Sequence, residues 1–163
     1  TAPSQVWIRL LSARAKIFEM ENLGERFTAS TASSLLANSL RGAAAKADMS
    51  IGTMIFGIDS EKKAEIYYCD NQGHRVKGDL FAVGSGATYA YSVIDAAPSR
   101  DTLTSEQAAK LAERAVRTAA TRDAYSGGIV NVFLVDRQTG RWTRVQRAES
   151  AVGRGPDVSR KHS

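Results

Sequence analysis

Ile51-Gly52-Thr53-Met54-Ile55-Phe56-Gly57-Ile58 is the stretch at which the apolar pattern of this 163-residue chain changes period. It is short, rich in β-branched residues and glycine, and bounded by Asp59-Ser60-Glu61-Lys62-Lys63, so it predicts a strand rather than a helix. Downstream, Glu65 to Cys69, Arg75 to Lys77 and Leu80 to Val83 read as further short strands, separated by turns at Asp70-Asn71-Gln72-Gly73 and Gly78-Asp79. Together these segments predict an antiparallel meander.

On both sides of the meander the period is helical. Val6, Leu10, Ala13 and Ile17, beside Trp7, Leu11 and Phe18, predict one wide apolar helix face that stops at Glu21-Asn22-Leu23-Gly24. A second helix is predicted from Thr28 to Ala45, with Ala32, Leu35, Leu36, Leu40 and Ala43 on its apolar side. After Gly84-Ser85-Gly86 a helix runs through Tyr89, Val93 and Ile94, with Ser85 expected to cap its first turn. Thr104-Ser105-Glu106-Gln107 is a capping box, followed by a stripe of Ala108, Leu111, Ala112, Ala115, Val116 and Ala119. Ile129 to Val135 predicts a strand covered on both faces, then a Gln138-Thr139-Gly140 turn and a strand from Trp142 to Val145. Helices, strands, helices, strands is the order of an α+β protein with sheets sandwiched between helical layers.

The length suits one ordinary domain, here 1–147, and no apolar run approaches the roughly 20 residues of a membrane-spanning helix. Lys and Arg number 22 against 17 Asp and Glu, a net charge of +5. Part of that excess falls in 148–163, a Gly- and Ser-containing stretch expected to be a flexible basic tail rather than a nucleic-acid arm. The one cysteine, Cys69, allows no internal disulfide or thiolate zinc site, and its strand context predicts a buried structural thiol. His74 and His162 are too few and too scattered for a histidine metal site or a Ser-His-Asp triad, so no cofactor or metal is expected.

Two segments carry candidate chemistry. Gly84-Ser85-Gly86 before a helix hints at a phosphate cradle, but no P-loop lysine follows it. Thr121-Arg122-Asp123-Ala124-Tyr125-Ser126-Gly127-Gly128 packs a carboxylate, a hydroxyl and two glycines between a helix and a strand. Spacing alone favours a turn in which Asp123 accepts backbone bonds and the glycines supply positive φ, and leaves room for a site.

Four stretches carry a resemblance: Ala2-Pro3-Ser4-Gln5-Val6-Trp7-Ile8-Arg9-Leu10-Leu11, Ser50-Ile51-Gly52-Thr53-Met54-Ile55, Val83-Gly84-Ser85-Gly86-Ala87-Thr88-Tyr89-Ala90-Tyr91 and Arg122-Asp123-Ala124-Tyr125-Ser126-Gly127-Gly128. In order and spacing, from Ala2 to about Arg147, the chain resembles the beta subunits of the eukaryotic proteasome core particle, in particular the catalytic type with chymotrypsin-like activity. The resemblance implies the N-terminal-nucleophile hydrolase fold, a four-layer αββα sandwich. It implies threonine-type endopeptidase chemistry on unfolded polypeptides in ubiquitin-linked proteolysis, cutting after bulky apolar residues. Partners would be other alpha and beta subunits and a polypeptide substrate, with no nucleic acid or membrane, in cytoplasm and nucleus. In that family a processed N-terminal threonine supplies both nucleophile and basic amine, assisted by a lysine, an aspartate and a backbone oxyanion donor. Ser85, Asp123 and Ser126 match the serine and the aspartate and serine pair that surround the threonine amine there.

Ala2 aligns at the start of the family's first long helix. The expectation is therefore a sandwich incomplete at its N-terminus, lacking the catalytic threonine segment, inactive alone and poorly soluble because sheet edges and apolar faces lie open. Thr1 precedes a helix, and Lys16 would stand roughly 20 Å further along it, so Thr1 is not expected to act by itself. A non-catalytic structural or assembly paralogue and a small basic nucleic-acid-binding protein on the same fold are the alternatives.

Overall fold

The computed structural model describes residues 2–44, 52–98 and 102–149. Its contacts fall into two compact units, Thr1–Phe81 with Val135–Arg141, and Ala82–Leu134 with Trp142–Ser163. The α+β class is as expected, with helices and sheets in the predicted order.

The first unit opens with α1 (Ala2–Glu21) and α2 (Ala29–Ala44), followed by β1 (Thr53–Ile58), β2 (Ala64–Cys69) and β3 (Arg75–Gly78). Helix α1 ends where Leu23 and Gly24 take φ of 53° and 84°, and Gly24 N–H reaches Glu19 O at 2.8 Å. Thr28 starts α2 by accepting the Thr31 N–H on its hydroxyl at 3.2 Å. The strands form an antiparallel sheet in the order β1-β2-β3, with Ile55 opposite Tyr67 and Tyr68 opposite Val76. Trp7, Leu11 and Ile55 pack on Leu36, Ala37, Leu40 and Cys69 to make the core.

Two expectations for this unit need correction. The inward face of α1 is Trp7, Leu11, Ala15 and Phe18, whereas Val6, Leu10, Ala13 and Ile17 lie exposed. Both sets have helical spacing, and packing against α2 selects the one that carries Trp7 and Leu11. Leu80 to Val83 forms no strand. The chain leaves the sheet after Gly78, where Phe81 folds back so that its ring would lie 2.7 Å from a Cβ at position 78, and stacks on Tyr68 at 6.0 Å. Ala45 and Ile51, the outer ends of two predicted elements, lie outside the described residues.

The second unit holds α3 (Ala87–Asp95), α4 (Ser105–Arg122), β4 (Ile129–Val135) and β5 (Trp142–Glu149). The capping box is present: Thr104 accepts the Gln107 N–H at 3.3 Å, and Gln107 accepts the Thr104 N–H at 2.9 Å. Ala115 and Ala119 pack against Ala90 and Ile94 of α3, and Ala109 packs against Val130 and Val132 of β4. Ala108, Ala112 and Val116, expected in the buried stripe, are exposed, because α4 meets its neighbours through Ala109, Ala115, Ala119 and Ala120 instead. Strand β4 also departs from expectation. Val130 and Val132 are buried while Ile129 and Phe133 are exposed, so among the described residues only one face is covered, by α4. Strands β4 and β5 pair, and β5 continues past the expected boundary at Arg147; positions 150–163 of the expected tail lie outside the described residues.

Candidate functional site

Ser85, 38 positions before Asp123 in the chain, meets Ser126 on one Asp123 carboxylate oxygen in the second unit. Helix α4 delivers the aspartate. Asp123 is its C-cap, one residue past Arg122, turning to extended backbone (φ −102°, ψ 123°) while its N–H still bonds to Ala119 O at 2.8 Å. The turn closes when Ser126 N–H reaches Asp123 O at 3.1 Å, and Gly128 leaves it with φ of 91°. Ser85 arrives from the turn ahead of α3, which the Ala90, Ile94, Ala115 and Ala119 contact holds against α4.

Within the cluster, the hydroxyls of Ser85 and Ser126 each donate to Asp123 Oδ2 at 2.5 Å. The Tyr125 N–H lies 3.4 Å from Oδ1. The Ser126 hydroxyl foremost, and then that of Ser85, hold the Asp123 carboxyl below its ordinary range. Burial opposes this weakly and the Tyr125 N–H adds a little. The carboxylate is therefore ionised at neutral pH.

This pattern fixes the polarity of the cluster. A serine hydroxyl carries one proton and two lone pairs, and here both protons are committed to Asp123. What the serines still offer is acceptor capacity, backed by a negative charge. Such an arrangement receives N–H or O–H donors, an amine or ammonium above all, and is unsuited to anions. The phosphate cradle hinted at by Gly84-Ser85-Gly86 has no support in this geometry.

The expected roles of single residues divide. Asp123 does brace its turn, as spacing suggested. Ser85 does not cap α3: Gly86 holds the N-cap position without a side-chain bond, one residue beyond Ser85, whose hydroxyl turns to the carboxylate. Of the two glycines, only Gly128 has positive φ. Cys69 is fully buried with its thiol on Ser33 O at 3.5 Å, and burial foremost raises its pKa, the behaviour of a structural thiol. His74 pairs with Asp70 in the β2 to β3 turn at 2.7 Å. Among the described residues no three His, Cys, Asp or Glu side chains gather to hold a metal ion, and no helix is long and apolar enough to cross a membrane. Thr1 lies outside the described residues, and Lys16 is exposed on α1.

Sequence reading missed a polar network under α2. Glu65 is buried, and its Oε1 accepts from Tyr67 Oη at 3.0 Å and Lys77 Nζ at 2.8 Å. Arg75 donates to Ser33 Oγ at 2.7 Å and lies 4.0 Å over the Tyr67 ring. The signal was available: Glu65, Tyr67 and Cys69 alternate onto one face of β2, and Lys77 stands opposite Tyr67.

Comparison with known proteins agrees with this fold. The sequence model of the proteasome subunit family matches residues 1–135. The chain is 40% identical over 151 residues to proteasome subunit beta type-8 of Homo sapiens, covering 91% of this chain and 51% of that protein. It is 41% identical over 150 residues to proteasome subunit beta type-5 of Gallus gallus, with 92% and 56% covered. With proteasome subunit beta type-5-B of Arabidopsis thaliana it shares 40% over 164 residues, 99% and 54%. The chain spans about half the length of the curated relatives it matches. By these matches and by its α+β architecture, the chain belongs to the proteasome subunit family, among its beta-type members, and has that family's N-terminal-nucleophile hydrolase fold.

Proposed function

We propose that this chain serves as a beta-type subunit of a proteasome core particle, assembled with alpha and beta subunits in cytoplasm and nucleus. There it supports threonine-type cleavage of unfolded polypeptides after bulky apolar residues. One observation carries the reading: both serine hydroxyls donate to Asp123, which leaves the two hydroxyls only acceptor capacity. A nucleophilic N-terminal threonine uses its own α-amine as base, and that amine gains a proton as the hydroxyl loses one. Ser85 and Ser126 oxygens accept hydrogen bonds from the amine, or from a water beside it, and the Asp123 charge stabilises the ammonium that forms. In this mechanism the cluster binds and orients the base. It does not attack the peptide bond.

The test is Ser126→Ala in the assembled particle that carries this subunit, assayed on a peptide with a bulky apolar residue before the cut. Cleavage should fall about 10- to 100-fold at an unchanged level of assembly, the range for one positioned proton-handling group. Parent-level cleavage by the variant refutes the supporting role of Ser126. A particle that incorporates the parent chain but never cleaves such peptides at this subunit favours the structural or assembly role instead.

A further inference from the structure

Gly86 is a buried glycine whose backbone does not require glycine. Its φ of −84° and ψ of 5° are open to any L-residue, and it forms no side-chain cap for α3. The requirement is space. A Cβ at this position would stand 2.8 Å from Ser126 Oγ, 2.9 Å from Ala119 Cβ and 3.3 Å from Asp123 Oδ2. Two of these three neighbours belong to the serine and aspartate cluster, and the third belongs to the α3 and α4 contact that brings Ser85 within reach of Asp123. One hydrogen atom in place of a methyl thus lets the turn carrying Ser85 approach the turn carrying Ser126.

We propose that Gly86 is a positioning residue for the cleavage assigned above, setting the distance between Ser85, Ser126 and Asp123. This rests on the proposed function for its catalytic consequence, though not for its geometry. A methyl at 86 cannot be absorbed by rotation of a long side chain, because Ala119 Cβ is held by its own helix backbone and Ser126 Oγ can rotate away only by leaving Asp123. The predicted response is separation of the hydroxyls from the carboxylate, with the reacting groups untouched.

Gly86→Ala and the double variant Gly86→Ala with Ala119→Gly are to be compared with the parent in the assembled particle. The double variant removes the 2.9 Å clash between helices and keeps the 2.8 Å clash with Ser126. The expected result is that it assembles like the parent, that kcat falls about 10- to 100-fold with KM within about twofold, and that the acid limb of the pH profile moves. A cryo-EM map of the double variant should show Ser126 Oγ beyond hydrogen-bond reach of Asp123. Parent kcat, or an intact cluster in that map, overturns the proposal. So does failure of both variants to assemble, which would make Gly86 a folding residue only. If the parent cleaves nothing, the function reading fails, while the map still decides whether Gly86 sets the cluster.

Discussion

Two of the turns that begin with an aspartate, those of Asp70 and Asp123, spend it differently. Between β2 and β3, Asp70 uses its carboxylate on its own loop: Oδ1 accepts the N–H groups of Gln72 at 2.9 Å and His74 at 2.8 Å, and Oδ2 meets His74 Nδ1 at 2.7 Å. The β1 to β2 and β4 to β5 turns do the same with Asp59 and Asp136, which take backbone N–H groups of Lys63, Gln138 and Thr139. After α4, Asp123 instead gives Oδ2 to two hydroxyls, one of them from another element. A carboxylate that satisfies its own backbone stabilises a loop and nothing more. A carboxylate that gathers side-chain hydroxyls presents their lone pairs to whatever approaches, so the turn that is least self-sufficient is the one suited to chemistry.

The comparison breaks most directly at the two carboxylates. Asp123→Asn should lower peptide cleavage by about 100-fold or more, because a neutral amide no longer stabilises an ammonium, whereas Asp70→Asn should leave cleavage within about twofold. Steady-state kinetics on the assembled particle measures both; equal losses would erase the distinction between the turns.

A smaller effect concerns their glycines. Gly73 closes the Asp70 turn with φ of 81°, and a Cβ there would lie 2.7 Å from Ala37 O and 2.8 Å from Arg41 Cβ. Gly73→Ala should cost about 2–3 kcal/mol in denaturant unfolding, from strain and overpacking together. Gly127, in the Asp123 turn, has open space around it, and Gly127→Ala should change stability by less than about 0.5 kcal/mol.

The smallest expected effect is on acid stability. Both aspartates titrate below their ordinary value. For Asp70, burial acts first and in the raising direction but is outweighed by the His74 side chain and the backbone N–H groups; for Asp123, the serines dominate. A depressed carboxyl contributes stability that is fully present above the unfolded pKa of about 3.9 and disappears as pH falls through the folded one. Replacing either with Asn should therefore flatten the loss of stability below about pH 4. Thermal melts across that range on parent and variants would show a persisting slope if other carboxylates govern it.

Much of the architecture was legible from residue order alone. Period changes at Thr53 and Ala87, the Thr104 capping box and the aspartate and glycine turns each rest on interactions within a few residues, which any chain with that local sequence makes. The nearness of Asp123 to Ser126 was legible too, since the two share one turn. What pattern could not settle were choices between equivalent local solutions. Val6, Leu10 and Ile17 have the same helical spacing as Trp7, Leu11 and Phe18, and only the surface of α2 selects between them. Leu80 to Val83 has strand composition but pairs with no strand among the described residues. The alanines of α4 offer several narrow stripes, and contact with α3 and β4 decides which are buried.

Sequence by itself determined the class and the element order, because these follow from short-range periodicity and turn chemistry, whereas resemblance alone gathered Ser85, Asp123 and Ser126 into one candidate site. Only the tertiary structure decided that Ser85 abandons its helix for Asp123, that Glu65 is buried beneath α2, and that Gly86 must lack a side chain. Each of those depends on how closely elements far apart in the chain approach, a distance that packing sets and local sequence does not encode.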